Sequence, residues 1–431
     1  MRKFAAIFIA TILAAAALLP SQGEPARLFI KNATIIPVVG ERIEGGGILV
    51  EGGKIKAVGK ALEAPADAAV IDASGMFVYP GFIDSYSHFG LAEISSIPAT
   101  TDYREMGREN PELRVVWAIN PHSVHFGTGR VTGTTSALVA PAGGTFPGIS
   151  ALVKMDGWTV PEMVVMEAAT SFINFPITPR PVGEGLTVQK EAKEDVTSKL
   201  VEKIRDYLKE ARRYLELKKA AAAGGGIEAP EYNAKYEALA PVLEGALPVI
   251  VSVEKAKDIE LAIKFVQDEK LKAIFRGCAQ GFKVADKIKQ SGIPVIIDSL
   301  YTGPSEPEDG YDAPYRNVVE LARAGVVISF SSGDSPAAGK DLPYHAAKAV
   351  AFGLPRDEAI KALTINPARI FGVADRLGSI EAGKDADLLI AAGDPLDFRT
   401  EVKHLVINGR AIDMSNWWET LYDKFRGRPE K

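Results

Sequence analysis

The stretch PGFIDSYSHFG, Pro80 to Gly90, carries an apolar strand into a polar tip. Phe82 and Ile83 run into Asp84, followed by Ser85-Tyr86-Ser87-His88. Residues two apart on a strand share a face, so Tyr86 and His88 present their rings together at the strand's end. A His-x-His pair at such a place is half of a metal site. This chain has Tyr-x-His.

Working outward, residues 27–79 contain short alternating strands broken by glycine turns, and residues 376–413 read the same way. The two ends are expected to build one small β domain. Residues 80–375 alternate apolar runs with amphipathic helical stretches, the pattern of βα units around a parallel sheet. The fold class is therefore α/β. Candidate inner strands are Phe82–Asp84, Ser136–Ala140, Pro248–Val253, Lys272–Phe275, Pro294–Asp298 and Val326–Phe330. The third and fourth strands are the least legible. A charged helical insertion around 184–247 interrupts the alternation. Val196, Leu200, Ile204, Leu208, Ala211 and Leu215 recur there at spacings of three and four, giving one apolar face. A long outer helix packed on the barrel explains that stripe; a lid or dimer-contact element is the alternative.

Composition narrows the classes. With 47% hydrophobic and 24% charged residues, the 431-residue chain reads as globular rather than disordered. A net charge of −5 without a long basic run argues against nucleic acid as a partner. The single cysteine, Cys278, excludes an intramolecular disulfide and any multi-cysteine metal cluster. At the N-terminus, Arg2 and Lys3 precede an apolar run from Phe4 to Leu19, and Ser21 and Gly23 stand at −3 and −1 of a cut before Glu24. Residues 1–23 read as a Sec-type signal peptide, which predicts a periplasmic or secreted protein without a permanent membrane anchor.

Two passages carry a family resemblance. VYPGFIDSYSH, Val78 to His88, is similar to the Pro-Gly-hydrophobic-Ile-Asp-x-His-x-His signature of the amidohydrolase superfamily, with Tyr86 the one departure. ALTINPARIFGVADRLGSIEAGKDADLLIAAGDPL, Ala362 to Leu396, resembles that family's C-terminal passage almost throughout. The nearest relatives look like the imidazolonepropionase-like and prolidase-like branch. The resemblance implies a (β/α)8 TIM-like barrel beside a composite β-sandwich built from both chain ends. It also implies a metal-dependent hydrolase of amide or cyclic-amide bonds, with zinc or another divalent ion at the C-terminal mouth of the barrel.

Carried onto this chain residue by residue, the family ligands survive in part. His88 matches the second histidine of the pair, and Asp334, in VVISFSSGDSP, matches the strand-eight aspartate that binds metal and shuttles the proton. Tyr86 replaces the first histidine, Ser252 and Glu254 occupy the strand-five slots, and Arg276 stands where strand six carries its histidine. Lys154 is a weak candidate for the bridging lysine. Of five histidines, His345 and His404 lie elsewhere in the pattern, whereas His122 and His125 share a helix face and more often pack than ligate. The expectation is a residual metal pair, His88 and Asp334, with no metal at high occupancy. Arg276 is expected to pair with Asp334 in place of the ion, and Arg276 and Tyr86 to meet a small-molecule ligand. Two functions stay open: an exported hydrolase with an altered site, or a non-catalytic relative that binds a small ligand, forms a homo-oligomer or partners an intact paralogue. The glycine-rich loop Pro141 to Gly148 could close on such a ligand.

Overall fold

Strand β6 (Phe82–Ser87) begins an eight-stranded sheet that continues through β7 (Thr134–Val139), β8 (Ile149–Lys154), β9 (Val164–Asn174), β10 (Val249–Val253), β11 (Ala273–Gly277), β12 (Val295–Ile297) and β13 (Ile328–Phe330), in that spatial order. The computed structural model describes residues 27–177, 190–224 and 226–428, with residues 190–195 by backbone alone; the expected signal peptide lies outside them. The sheet curls into a nearly closed barrel. Ile83, Leu138, Leu152, Phe172, Ile250, Ile274 and Ile296 fill its interior, and the alternate residues Val249, Val251, Phe275, Val295 and Phe330 pack outward. The alternation follows from the two-residue period of a strand. It sends the next inward positions of β10 and β11, Ser252 and Arg276, toward the C-terminal mouth, and Asp298 just beyond β12 extends the same row.

The departure from eight parallel strands is local. β8 runs antiparallel to both β7 and β9, so these three strands form a meander. No long crossover helix separates them, and the α/β alternation that marks the other strands is missing there. This is why the third and fourth strands read poorly. The reversal also relocates Lys154. At the C-terminal end of β8 it lies opposite Ser136 near the start of β7, at the end of the barrel away from the mouth. Its buried ammonium contacts Asp385 at 3.2 Å and also pairs with Asp387. Lys154 is a tie between barrel and end domain, not a bridging metal ligand.

The end domain joins both termini in one hydrogen-bonded sheet. β1 (Leu28–Ile35), β2 (Ile43–Glu51), β3 (Lys54–Gly59), β4 (Ala69–Asp72) and β5 (Phe77–Pro80) come from the first end, and β14 (Leu388–Ala391), β15 (Val402–Ile407) and β16 (Arg410–Ile412) from the second. β14 is the join: it pairs antiparallel with β5 on one side and β15 on the other. The expected composite β domain of the two chain ends is thus present, and its strands are hydrogen-bonded continuously. β1 pairs with β4 through its first half and with β5 through its second, the switch falling at Asn32, whose φ is +60°. Leu28, Ile30, Ile35, Ile48, Val50, Leu388 and Ile390 form this domain's own core.

The insertion helix, Lys190–Ala222, buries Val201, Ile204, Leu208 and Ala211 in the main core. Arg205 and Arg212 hold Glu269 at 2.6 Å each. It is an outer helix of the barrel. The buried stripe starts at Thr197 and Val201 rather than Val196, which is exposed.

Breaking a buried ion pair leaves an uncompensated charge. Lys154→Ala is therefore expected to cost about 3 kcal/mol, read as a shift of the urea midpoint at neutral pH. A shift near zero would mean that Asp385 and Asp387 do not depend on this lysine.

Candidate functional site

At the barrel mouth the centre is occupied by a side chain. Arg276 donates from Nε to Asp298 Oδ1 at 2.9 Å and from Nη2 to Asp334 Oδ1 at 2.8 Å. Its Cζ lies 3.4 Å from the centroid of the Tyr86 ring, which adds the attraction of a cation for an aromatic face. Burial works against the guanidinium's charge, but Asp298, Tyr86 and Asp334 more than offset it, so its pKa is raised. The Tyr86 side chain is also close enough to Asp334 to favour its charged form. Although burial opposes its charge, Arg276 and His88 hold its pKa below the ordinary value.

His88 completes the cluster. It is buried, its ring stacks on Tyr103 at 4.3 Å, and Nδ1 lies 2.8 Å from the Ala140 carbonyl oxygen. A carbonyl only accepts, so Nδ1 carries the proton and Nε2 holds the lone pair. Nε2 is 3.7 Å from Asp334 Oδ1. Burial lowers the His88 pKa to about 4, which keeps the ring neutral at physiological pH.

Two carboxyls stand behind this cluster. Asp84 is fully buried and accepts from the Tyr86 amide at 3.2 Å, the Ser332 amide at 3.0 Å and the Ser332 hydroxyl at 2.5 Å. Burial raises its pKa to about 7. Glu254 accepts from the Ala279 amide at 3.1 Å, and burial, then the nearby Asp298, raise it to about 7 as well. Gly277 makes room for it: a Cβ there would sit 2.3 Å from Glu254 Oε1, and its φ of +88° suits glycine. Beside them opens a cavity of about 450 Å³, walled by Glu254, Arg276, Asp298 and Asp334 on one side and by Leu300, Thr302 and Pro304 on another.

Tyr86, His88, Arg276 and Asp334 thus converge as the sequence led us to expect, and Glu254 and Ser252 share an inward row. Arg276 does not fork onto Asp334 alone. It bridges two aspartates, and the second, Asp298, was passed over although it ends an apolar run as Asp84 does. His122 is exposed, whereas His125 is buried with Nε2 2.9 Å from the Glu93 carbonyl oxygen, so that pair does not join the mouth. His345 is buried in the helix Leu342–Ala351, and its Nδ1 accepts from the Leu300 amide at 3.3 Å. His404 lies in β15 opposite Ile390. The Pro141–Gly148 loop is strapped down. Ala142 donates to the Tyr103 carbonyl at 2.7 Å, and the Asn174 amide group donates to the Gly144 carbonyl at 2.9 Å.

An amidohydrolase family model matches residues 77–412, which span the barrel and strands β5 and β14–β16 of the sheet that joins the ends. The chain belongs to the amidohydrolase family. It is 24% identical over 403 residues to the amidohydrolase tasK of Hapsidospora irregularis, covering 85% of this chain and 40% of that protein. The chain therefore spans less than half the length of that relative. An imidazolonepropionase of Symbiobacterium thermophilum is 26% identical over 417 residues, covering 86% of this chain and 87% of its own. Among solved structures, an amidohydrolase from Thermotoga maritima superposes with a TM-score of 0.79 at 28% identity, covering 90% of this chain and 99% of that one.

The family's metal can be tested against the donors present. A catalytic zinc takes three protein ligands and a water. Among the described residues no group of three His, Cys, Asp or Glu side chains is placed to hold an ion. His88 and Asp334 approach each other, but Asp334 already accepts from Arg276. The cation at the mouth of this amidohydrolase-family chain is its own guanidinium. The donor set does not fit a catalytic divalent ion.

The neutral state of His88 has a measurable consequence. Its folded pKa lies below the ordinary 6.5, so the unfolded chain takes up the proton first. This histidine's contribution to stability is therefore full above about pH 6.5 and declines as the pH falls toward 4. In an NMR titration of the histidine rings, His88 is expected to hold neutral shifts down to about pH 5 and to move near pH 4. A midpoint close to 6.5 would contradict the buried, neutral ring.

Proposed function

We propose that this is an exported amidohydrolase-family protein that takes a small amide or cyclic-amide molecule into the mouth cavity without metal-assisted hydrolysis. Arg276 and Tyr86 meet the ligand, and Arg276 supplies the positive charge that a divalent ion supplies in the family. The observation that carries this reading is the guanidinium bridging Asp298 and Asp334. At roughly 4 Å and an effective dielectric near 20, each pair of unit charges interacts by about 4 kcal/mol. A divalent ion beside Arg276 is therefore opposed by about twice that before any ligand bond forms. The amide class rests on family membership and on relatives named as amidohydrolase and imidazolonepropionase. Export rests on the leader-like residues 1–23, with the mature chain beginning near Glu24.

A second reading, metal-independent hydrolysis, is favoured by Glu254. Its carboxyl, held near 7 on the cavity wall, can exchange a proton at neutral pH beside a cation able to polarise a carbonyl.

The test is metal content and turnover of protein purified from the periplasmic fraction. We expect far less than one zinc, iron or manganese per chain, no change in melting temperature with a strong chelator, and binding of amide or cyclic-amide compounds without cleavage. Tyr86→His alone should not bring in zinc, whereas Tyr86→His, Ser252→His and Arg276→His together should. Stoichiometric metal with chelator-sensitive hydrolysis would overturn the proposal. Chelator-insensitive turnover that Glu254→Gln abolishes would establish the second reading.

A further inference from the structure

The helix Trp417–Arg426 lies on the surface near the C-terminus. None of its residues is buried, although Trp418, Leu421, Tyr422 and Phe425 fall at helical spacing on one face. Trp417 is 53% exposed, Trp418 52%, Tyr422 65% and Phe425 59%. The helix is nevertheless well founded. Asn416 caps it by accepting from the Trp418 and Glu419 amides at 3.1 Å each, and the Trp418 indole donates to Thr128 at 3.3 Å. An apolar face held in place but left open needs an occupant.

We propose that the occupant is the same helix of a second copy, packed antiparallel about a two-fold axis. Charge and spacing both favour this over a lipid surface. The helix carries Glu419 and Asp423 against Lys424 and Arg426, so it has no net charge to draw it to an anionic membrane. Its charges are instead ordered, acidic before basic. Residues seven apart on a helix lie on the same flank, and in an antiparallel pair like flanks meet. Glu419 of one copy therefore comes beside Arg426 of the other. On the opposite flank Trp417 comes beside Lys424, and Trp418 faces Phe425 across the axis, with Leu421 and Tyr422 at the centre. Every contact occurs twice, as a two-fold interface requires.

Four aromatic side chains exposed by half or more supply roughly 400–500 Å² per copy, about half of the roughly 800 Å² per partner of a standard interface, so the pairing belongs to the weak, reversible class. Gly157 and Trp417 line one small cavity, which places the loop bearing Trp158, 75% exposed, at the rim.

Sedimentation equilibrium of the purified protein tests the pairing. We expect a dimer at about 100 µM, the concentration range suited to an interface at the weak end of its class. Leu421→Asp should give monomer. Glu419→Arg sets like charges together twice and should weaken association roughly tenfold, and adding Arg426→Glu should restore it. All three positions are at least partly exposed, so the variants should keep the wild-type circular dichroism. A monomeric wild type would overturn the proposal, as would a dimer indifferent to Leu421→Asp or a double variant no better than Glu419→Arg. A monomer that sediments with anionic lipid vesicles would assign the face to membrane instead.

Discussion

A guanidinium taken out of water at the end of a barrel must be paired, or the fold cannot hold it. Arg276 meets that demand with Asp298 on β12's extension, Asp334 beyond β13 and the Tyr86 ring on β6. These groups come from one half of the barrel and from the strand across its opening. Their arrangement depends on the cation as much as the cation depends on them, since without it Asp298, Asp334 and Glu254 would face one another as bare carboxyls. The family resemblance places histidines and one aspartate at this mouth; here the matching aspartate, Asp334, is bonded to the Arg276 guanidinium.

The same region closes the barrel. The hydrogen-bonded ladder runs from β6 round to β13 and stops there. Asp84 spans that gap, 248 residues away in sequence, by accepting from both the amide and the hydroxyl of Ser332. The aspartate of the PGFID stretch therefore acts as a structural clasp. It seats the Ser331–Asp334 loop, and Ser331 in turn donates to Asp298 at 2.9 Å. Seam and site are one network.

How much of this was legible follows from local chemistry. Asp84, Arg276 and Asp334 lie at or just beyond the ends of apolar runs, so strand periodicity placed them at the mouth, and the inward parity of Ser252 and Glu254 was correct. Asp298 ends its run in the same way, but its role depends on a guanidinium from the neighbouring strand, which no single-strand pattern records. Lys154 was misplaced because strand direction is invisible in a short apolar run: β8 reads like its neighbours yet points the other way. The bend at Asn32, where β1 changes partner from β4 to β5, rests on a single left-handed residue. The long helix was plain, and the middle of its stripe (Ile204, Leu208, Ala211) is buried as read, whereas at its start Thr197 and Val201 replace Val196 and Leu200. Tertiary packing on the barrel, rather than helical periodicity, selects among neighbouring stripes.

The central claim is that the Arg276 guanidinium stands where the family places its metal. Anomalous diffraction above the zinc edge, from crystals soaked in zinc, addresses it directly. The account predicts no anomalous peak at the mouth, with Arg276 still bonded to Asp298 and Asp334. A zinc peak bonded to His88 and Asp334, with Arg276 displaced, would contradict it.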